Sequence, residues 1–192
     1  MKGYTLLEVL LVIAVLALLF VVGFSNYRDY ERRQKVSSIT RQIKADLRLA
    51  QESAIAGKKP QNNCDILEGY AFWLDQLTKK DYKIYVLCRQ TSGGSLVAQE
   101  VKSYTVKEPN ILLSINPVLP YTLPPTLSSS GGIQFKALAM GTNIPDGSQV
   151  TLTVSGKSSP PSPFCILLPW LPGCPSSLKD ETITITPGGE VR

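Results

Sequence analysis

Histidine is absent from the 192 residues. Its absence removes the usual general base, the usual partner of a catalytic cysteine, and the commonest zinc ligand. The four cysteines, Cys64, Cys88, Cys165 and Cys174, form no CxxC pair, so a close-spaced thiolate metal site is excluded as well. No phosphate-binding glycine loop and no nucleophile elbow occurs. The reading is of a chain that is not an enzyme and holds no metal or cofactor. One catalytic class stays open, a carboxylate pair, because ten acidic residues lie after position 60.

Basic excess is also missing where a nucleic-acid-binding head would need it. Residues 61–192 carry ten Lys/Arg and ten Asp/Glu. The whole net charge of +5 comes from residues 25–60, with nine basic and four acidic side chains. A domain that grips phosphates is itself basic, and this one is neutral. A basic stretch beside an apolar run suits anionic lipid headgroups instead.

That apolar run is the most informative feature present. From Tyr4 to Phe24 a single charge, Glu8, interrupts 21 residues. As a helix they extend about 31 Å, close to the thickness of a bilayer core. A lone carboxylate facing lipid costs on the order of 2.5 kcal/mol or more. A cleaved secretory signal fits poorly: the charged region is only Met1-Lys2, and "VVGFSN" lacks a small-x-small cleavage site. A plain anchor explains the length and leaves Glu8 unexplained, unless its side chain snorkels to the interface.

The string "KGYTLLEVLLVIAVLALL" resembles the N-terminal processing motif of type IV pilins and pseudopilins. The resemblance covers roughly the first 24 residues. It implies a leader, residues 1–3, removed by a prepilin peptidase after Gly3. Tyr4 would then be the N-methylated first residue, and Thr5 and Glu8 would serve assembly, with Glu8 meeting the amino terminus of a neighbouring subunit. The leader is short for the family and Tyr4 stands where Phe is commoner. The implied location is the bacterial inner (cytoplasmic) membrane, single-pass, head outside the cytoplasm, and an extracytoplasmic filament after assembly. Arg28, Arg32, Arg33 and Lys35 follow the run. The positive-inside rule alone would put that side in the cytoplasm, against the resemblance.

The helix is expected to continue to about residue 56. Val36, Ile39, Ile43, Leu47, Ala50 and Ala54 are spaced three or four apart, one face of an α-helix. Gly57 and Pro60 are stop signals. Residues 4–24 thus form an assembly helix, and 25–57 an amphipathic one that packs on a head domain, 61–192.

Most of the 14 prolines and 14 glycines lie after residue 90, which favours strands and loops there. Candidate strands are 68–75, 81–89, 95–106, 111–115, 132–138, 148–155 and 182–186. The proline-rich stretches 116–132 and 155–177 read as loops. Order and short strings such as "GYAFWLD", "GGIQFKALAMGT" and "ITITPGGEVR" resemble the GspH/FimT-like minor pseudopilins, more loosely than the N-terminus does. The fold class is α+β, a long N-terminal helix on a mainly antiparallel β head. Some relatives end in a basic Gly-Arg-x-Arg tail used with DNA; here the tail is Gly189-Glu190-Val191-Arg192, with a carboxylate at the first Arg position.

An exported domain with an even cysteine count favours disulfides. Three connectivities are possible. Nearest neighbours in sequence give Cys64–Cys88 and Cys165–Cys174, and reduced buried thiols are the alternative. Between the last two cysteines lies "ILLPWLPG". Leu167, Leu168, Trp170 and Leu171 there are either a partner contact or a cover for the head's own core. The expected function is a minor pilin-like subunit of a type IV pilus or type II secretion pseudopilus. Its partners would be other pilin or pseudopilin subunits, the peptidase and the membrane. The alternative is a binding head at a filament tip, for DNA uptake, surface adhesion or a secretion substrate.

Overall fold

The computed structural model describes residues 5–60, 64–91, 94–117, 132–139, 141–156 and 180–192. One helix, α1 (Leu6–Ile55), runs unbroken for 50 residues. Its end follows from local sequence. Gly57 takes φ +63°, the left-handed conformation in which glycine pays no Cβ penalty. The Gly57 and Lys58 N–H groups then donate back to the Ala54 and Ser53 carbonyls, at 3.1 and 3.0 Å.

Seven strands follow: β1 (Ile66–Leu74), β2 (Asp81–Arg89), β3 (Leu96–Thr105), β4 (Ile111–Asn116), β5 (Gly132–Lys136), β6 (Val150–Gly156) and β7 (Glu181–Ile185). They make two antiparallel sheets, in the orders β3-β2-β1-β5 and β4-β6-β7. Between β3 and β4 the chain passes Pro109, which has no N–H to continue a ladder. There it leaves the first sheet and starts the second.

The six-residue helical stripe is buried throughout; Val36 and Ile39 are 3% and 5% exposed, and Ile43 and Leu47 have no exposure. It packs into a core shared with Phe72, Tyr82 and Val86 of the first sheet and Leu113, Leu152 and Ile183 of the second. In β6, Val150, Leu152 and Val154 alternate onto that core while Thr151 and Thr153 face outward, half-buried.

One strand differs from expectation. The stretch expected to be extended over 132–138 leaves the ladder after Lys136 and turns through a short 3-10 segment, Ala137–Ala139. Leu138 there adopts φ 56° and is largely exposed. The Lys136 N–H instead donates to the Gly141 carbonyl at 2.9 Å. This closes the turn.

Gly69 is fixed by a close approach. A bulge between Leu67 and Gly69 shifts the β1–β2 register and puts Gly69 at φ +147°. A Cβ there would sit 2.1 Å from the Phe135 carbonyl oxygen of β5. We expect Gly69→Ala to lower unfolding free energy by about 2 to 4 kcal/mol, through strain and lost β1–β5 pairing. Denaturant titration of the full chain checks this; a loss below about 0.5 kcal/mol, the level of an ordinary surface change, would contradict it.

Candidate functional site

The start of α1 is built by its own sequence. Thr5 is the N-cap, extended at φ −77° and ψ 147°, and its Oγ1 accepts from the Glu8 N–H at 3.3 Å. The Thr5 carbonyl receives the Glu8 and Val9 N–H groups at 3.1 and 3.3 Å. Thr-Leu-Leu-Glu is thus the capping spacing, Thr at the cap and Glu three residues on. It also places the Glu8 carboxylate in the first turn, where the helix dipole favours negative charge. Glu8 therefore serves the helix locally, a role the sequence reading passed over although the T-x-x-E spacing carries it.

Past the cap, the described side chains are open to solvent. Leu6, Leu7 and Phe20 are 79%, 74% and 71% exposed, and Leu10, Ile13, Leu16 and Leu19 are exposed as well. Among the described residues no helix is long and apolar enough to cross a membrane. The described side chains run unbroken only over 5–17, fewer than the roughly 20 a crossing needs. The span expected over 4–24 reaches beyond them. Gly3 and Tyr4 lie outside the described residues, as do Cys165, Leu167, Leu168, Trp170, Leu171 and Cys174.

A buried polar cluster ties the helix to the first sheet. Asp46 is 5% exposed. Its Oδ2 accepts from the Tyr82 hydroxyl at 2.8 Å and its Oδ1 from Lys102 Nζ at 2.6 Å. Tyr82 has no exposure; its ring stacks on Phe72 and lies tilted against Tyr104, with centroids 5.3 Å apart in both cases. Burial, followed by the hydrogen bond and charge of Asp46, pushes the Tyr82 phenol far above its ordinary pKa. The sequence reading missed Asp46. It lies three residues after Ile43 and four before Ala50, on the buried stripe, and that spacing was the available signal.

The C-terminus folds back. Val191 bridges to Ile185, and the Arg192 N–H and carbonyl bond Thr184 at 2.9 and 3.2 Å. Glu190 takes Arg192 as its partner at 2.9 Å, which holds the Glu190 carboxyl below the usual carboxylate range. The Arg48 guanidinium reaches the Val191 carbonyl at 3.5 Å beside a wide cleft of about 420 Å³. The terminal arginine is thus paired with a carboxylate at the surface.

Two carboxylates, Asp75 and Asp81, both lie within hydrogen-bond reach of the Thr78 hydroxyl, at 3.1 and 2.9 Å, and share its one proton. Asp75 also caps the Leu77 N–H at 2.9 Å. The pair braces the exposed turn between β1 and β2. Cys64 and Cys88 are joined, their Cα atoms 5.1 Å apart, tying the start of β1 to the end of β2.

Comparison with known proteins adds to this picture. No family model matches the chain. Two fimbrial proteins of Pseudomonas aeruginosa are each 37% identical over 54 residues, 28% of this chain and 34% of theirs. The chain thus spans about a third of the length of the curated relatives it matches. Among solved structures, the minor pseudopilin EpsH from the type 2 secretion system of Vibrio cholerae is similar at a TM-score of 0.46 and 14% identity, over 82% of this chain and 94% of that one.

Two outcomes are expected. Alkylation of the denatured chain without reductant should leave Cys64 and Cys88 unmodified; labelling at both would show a reduced pair. For Tyr82, the folded-state pKa lies above the unfolded one. Its contribution is therefore complete below pH about 10 and falls as pH rises beyond that value. Tyr82→Phe should flatten the alkaline loss of stability by about 1.4 kcal/mol per pH unit above pH 10. Unfolding curves between pH 8 and 11.5 would show it; parallel slopes for both proteins would contradict it.

Proposed function

We propose that this chain is a minor, GspH/FimT-like pilin subunit, held in the bacterial inner membrane by residues 4–24 and assembled through α1 into a type IV pilus or type II secretion pseudopilus. One observation carries the reading: every described side chain from Leu6 to Phe20 is exposed, on a helix whose later half is sealed into a head with its own full core. Such a surface requires a partner that is not the head. Lipid serves before assembly, and neighbouring helices serve after it.

Processing completes the chemistry. Cleavage after Gly3 would leave the Tyr4 ammonium one residue before the N-cap, near the positive end of the helix dipole. That is an unfavourable place for a cation. The Glu8 carboxylate offsets it within the subunit or, in a helical stack, pairs with the ammonium of a neighbour and sets register. The head, neutral over 61–192 and with its terminal arginine paired, supports a structural subunit rather than a DNA-binding module.

The test uses the full chain expressed with a prepilin peptidase and a filament system. The mature form should begin at N-methylated Tyr4, read by intact mass and N-terminal peptide analysis. Glu8→Ala should still be cleaved, yet fall by more than about tenfold in sheared filaments, since an uncompensated ammonium within the stack costs several kcal/mol. Glu8→Ala present in filaments at the wild-type level would remove the pairing role. An intact Met1-Lys2-Gly3 leader would remove the processing reading altogether.

A further inference from the structure

Between the apolar run and the head lies a neck that the head does not hold. Among the described side chains of α1, the first buried one is Val36. Tyr27 and Tyr30 are 63% and 61% exposed, and the polar side chains from 31 to 35 are exposed or half-buried. Each tyrosine stands nine residues before a buried position, Val36 or Ile39. Nine residues are two and a half turns, so both rings lie on the side of the helix opposite the head's core. Two large aromatic side chains are thus held in the open, away from the described head.

The chemistry of the neck narrows what can cover it. Residues 27–35 read "YRDYERRQK", with four basic and two acidic side chains beside the two tyrosines. One of the acids, Glu31, is engaged by Lys35 at 2.9 Å. Gln34 Nε2 donates to the Tyr30 hydroxyl at 2.7 Å, which leaves the phenol its own O–H to donate. Amphipathic rings with a basic surplus match a boundary that is apolar below and anionic above. Depth points the same way. With residues 4–24 in the bilayer, Tyr27 and Tyr30 stand about 4.5 and 9 Å past Phe24 along the axis. The headgroup layer is about 5 to 8 Å thick on each side of the hydrocarbon core, and tyrosine collects there. Arg32 and Arg33 start about 12 and 14 Å out, but helical side chains lean toward the N-terminus, here toward the bilayer. Their stems are long enough to return the guanidinium groups to phosphate level.

We propose, on the membrane reading given above, that residues 27–35 are a docking surface for anionic phospholipid headgroups of the phosphatidylglycerol kind, which set the depth of the stored subunit. A lipid surface fits better than a free anion. The tyrosines need apolar cover and the basic side chains need phosphate, and a headgroup layer offers both within about 10 Å of helix. The four basic residues after the apolar run then have a role that does not depend on which side of the bilayer the head occupies. On assembly, neighbouring helices would take the place of the lipid, so headgroups and filament compete for one surface.

The experiment reconstitutes the detergent-solubilised full chain into phosphatidylcholine vesicles, with and without phosphatidylglycerol. Flotation reads insertion. Gentle re-extraction from the mixed vesicles, followed by native mass spectrometry, reads the lipid that the chain retains. Phosphatidylglycerol should be retained at roughly threefold or more above its share of the bilayer, and less so in about 0.5 M NaCl. Replacing Arg28, Arg32, Arg33 and Lys35 together by Gln should return the ratio to the bulk share, while the variant still floats. A chain that floats with neither vesicle removes the membrane reading and the neck's role with it. A wild-type chain that floats with both yet retains phosphatidylglycerol only at its bulk share overturns the neck alone. So does a Gln variant as enriched as wild type, or enrichment displaced by inorganic phosphate at equal ionic strength.

Discussion

One helix face holds two separate sheets together. Among the described residues the sheets share no ladder, and the stripe from Val36 to Ala54 contributes to a core that takes side chains from both. Remove the helix, and each sheet exposes a face of Val, Leu, Ile and aromatic residues with nothing to bury it. At about 25 cal/mol per Å² of apolar surface, that packing dominates any single hydrogen bond in the head. The disulfide and the C-terminal fold-back act at the edges of this arrangement. Asp46 acts at its centre, because a buried carboxylate with two donors, Tyr82 and Lys102, allows one rotation of the helix against the first sheet. A rotated or slipped helix would strand the charge, at a cost of several kcal/mol.

The same helix therefore has two regimes. From residue 36 onward its apolar side chains are three and four apart, and its polar ones face water. Before residue 21 the described side chains are apolar nearly all round and exposed all round. The hydrophobic pattern separates what the head needs from what association needs.

Much of this was legible in the sequence, for identifiable reasons. The helical stripe was readable because each of its six positions does one thing, filling the core. Most strands were readable to within two residues because their alternation or apolar runs are bounded by Gly, Pro or Asp. The division into two sheets was not, since pairing is decided by long-range fit that no local window contains. Asp46 was overlooked because a charge on a polar-looking segment reads as solvated until its spacing from Ile43 and Ala50 is weighed. Residues 137–138 read as strand and turn instead, since Leu138 takes a left-handed conformation that its side chain gives no sign of. At the start of the helix, Thr5 and Glu8 were singled out for a neighbour, while the capping that their T-x-x-E spacing carries was passed over.

The pairing proposed for Glu8, beside the capping its backbone shows, bears on how assembly could be specific. Were the segment held in lipid as proposed, the side chains from Leu6 to Phe20 would already be in an apolar solvent, and moving them against other helices would gain little from the hydrophobic effect. Packing and the few polar groups must then decide which helix sits where. In the described part of that segment the candidates are Thr5 and Glu8, and both lie in the first turn. Leucine-rich surfaces slide past one another at small cost, whereas a charge with a single favourable position does not. On this argument the carboxylate fixes axial register and the apolar side chains supply area. Substituting the leucines among themselves should then matter less than moving Glu8 by one residue. The shift would rotate the charge by about 100° around the helix and take it off the cap.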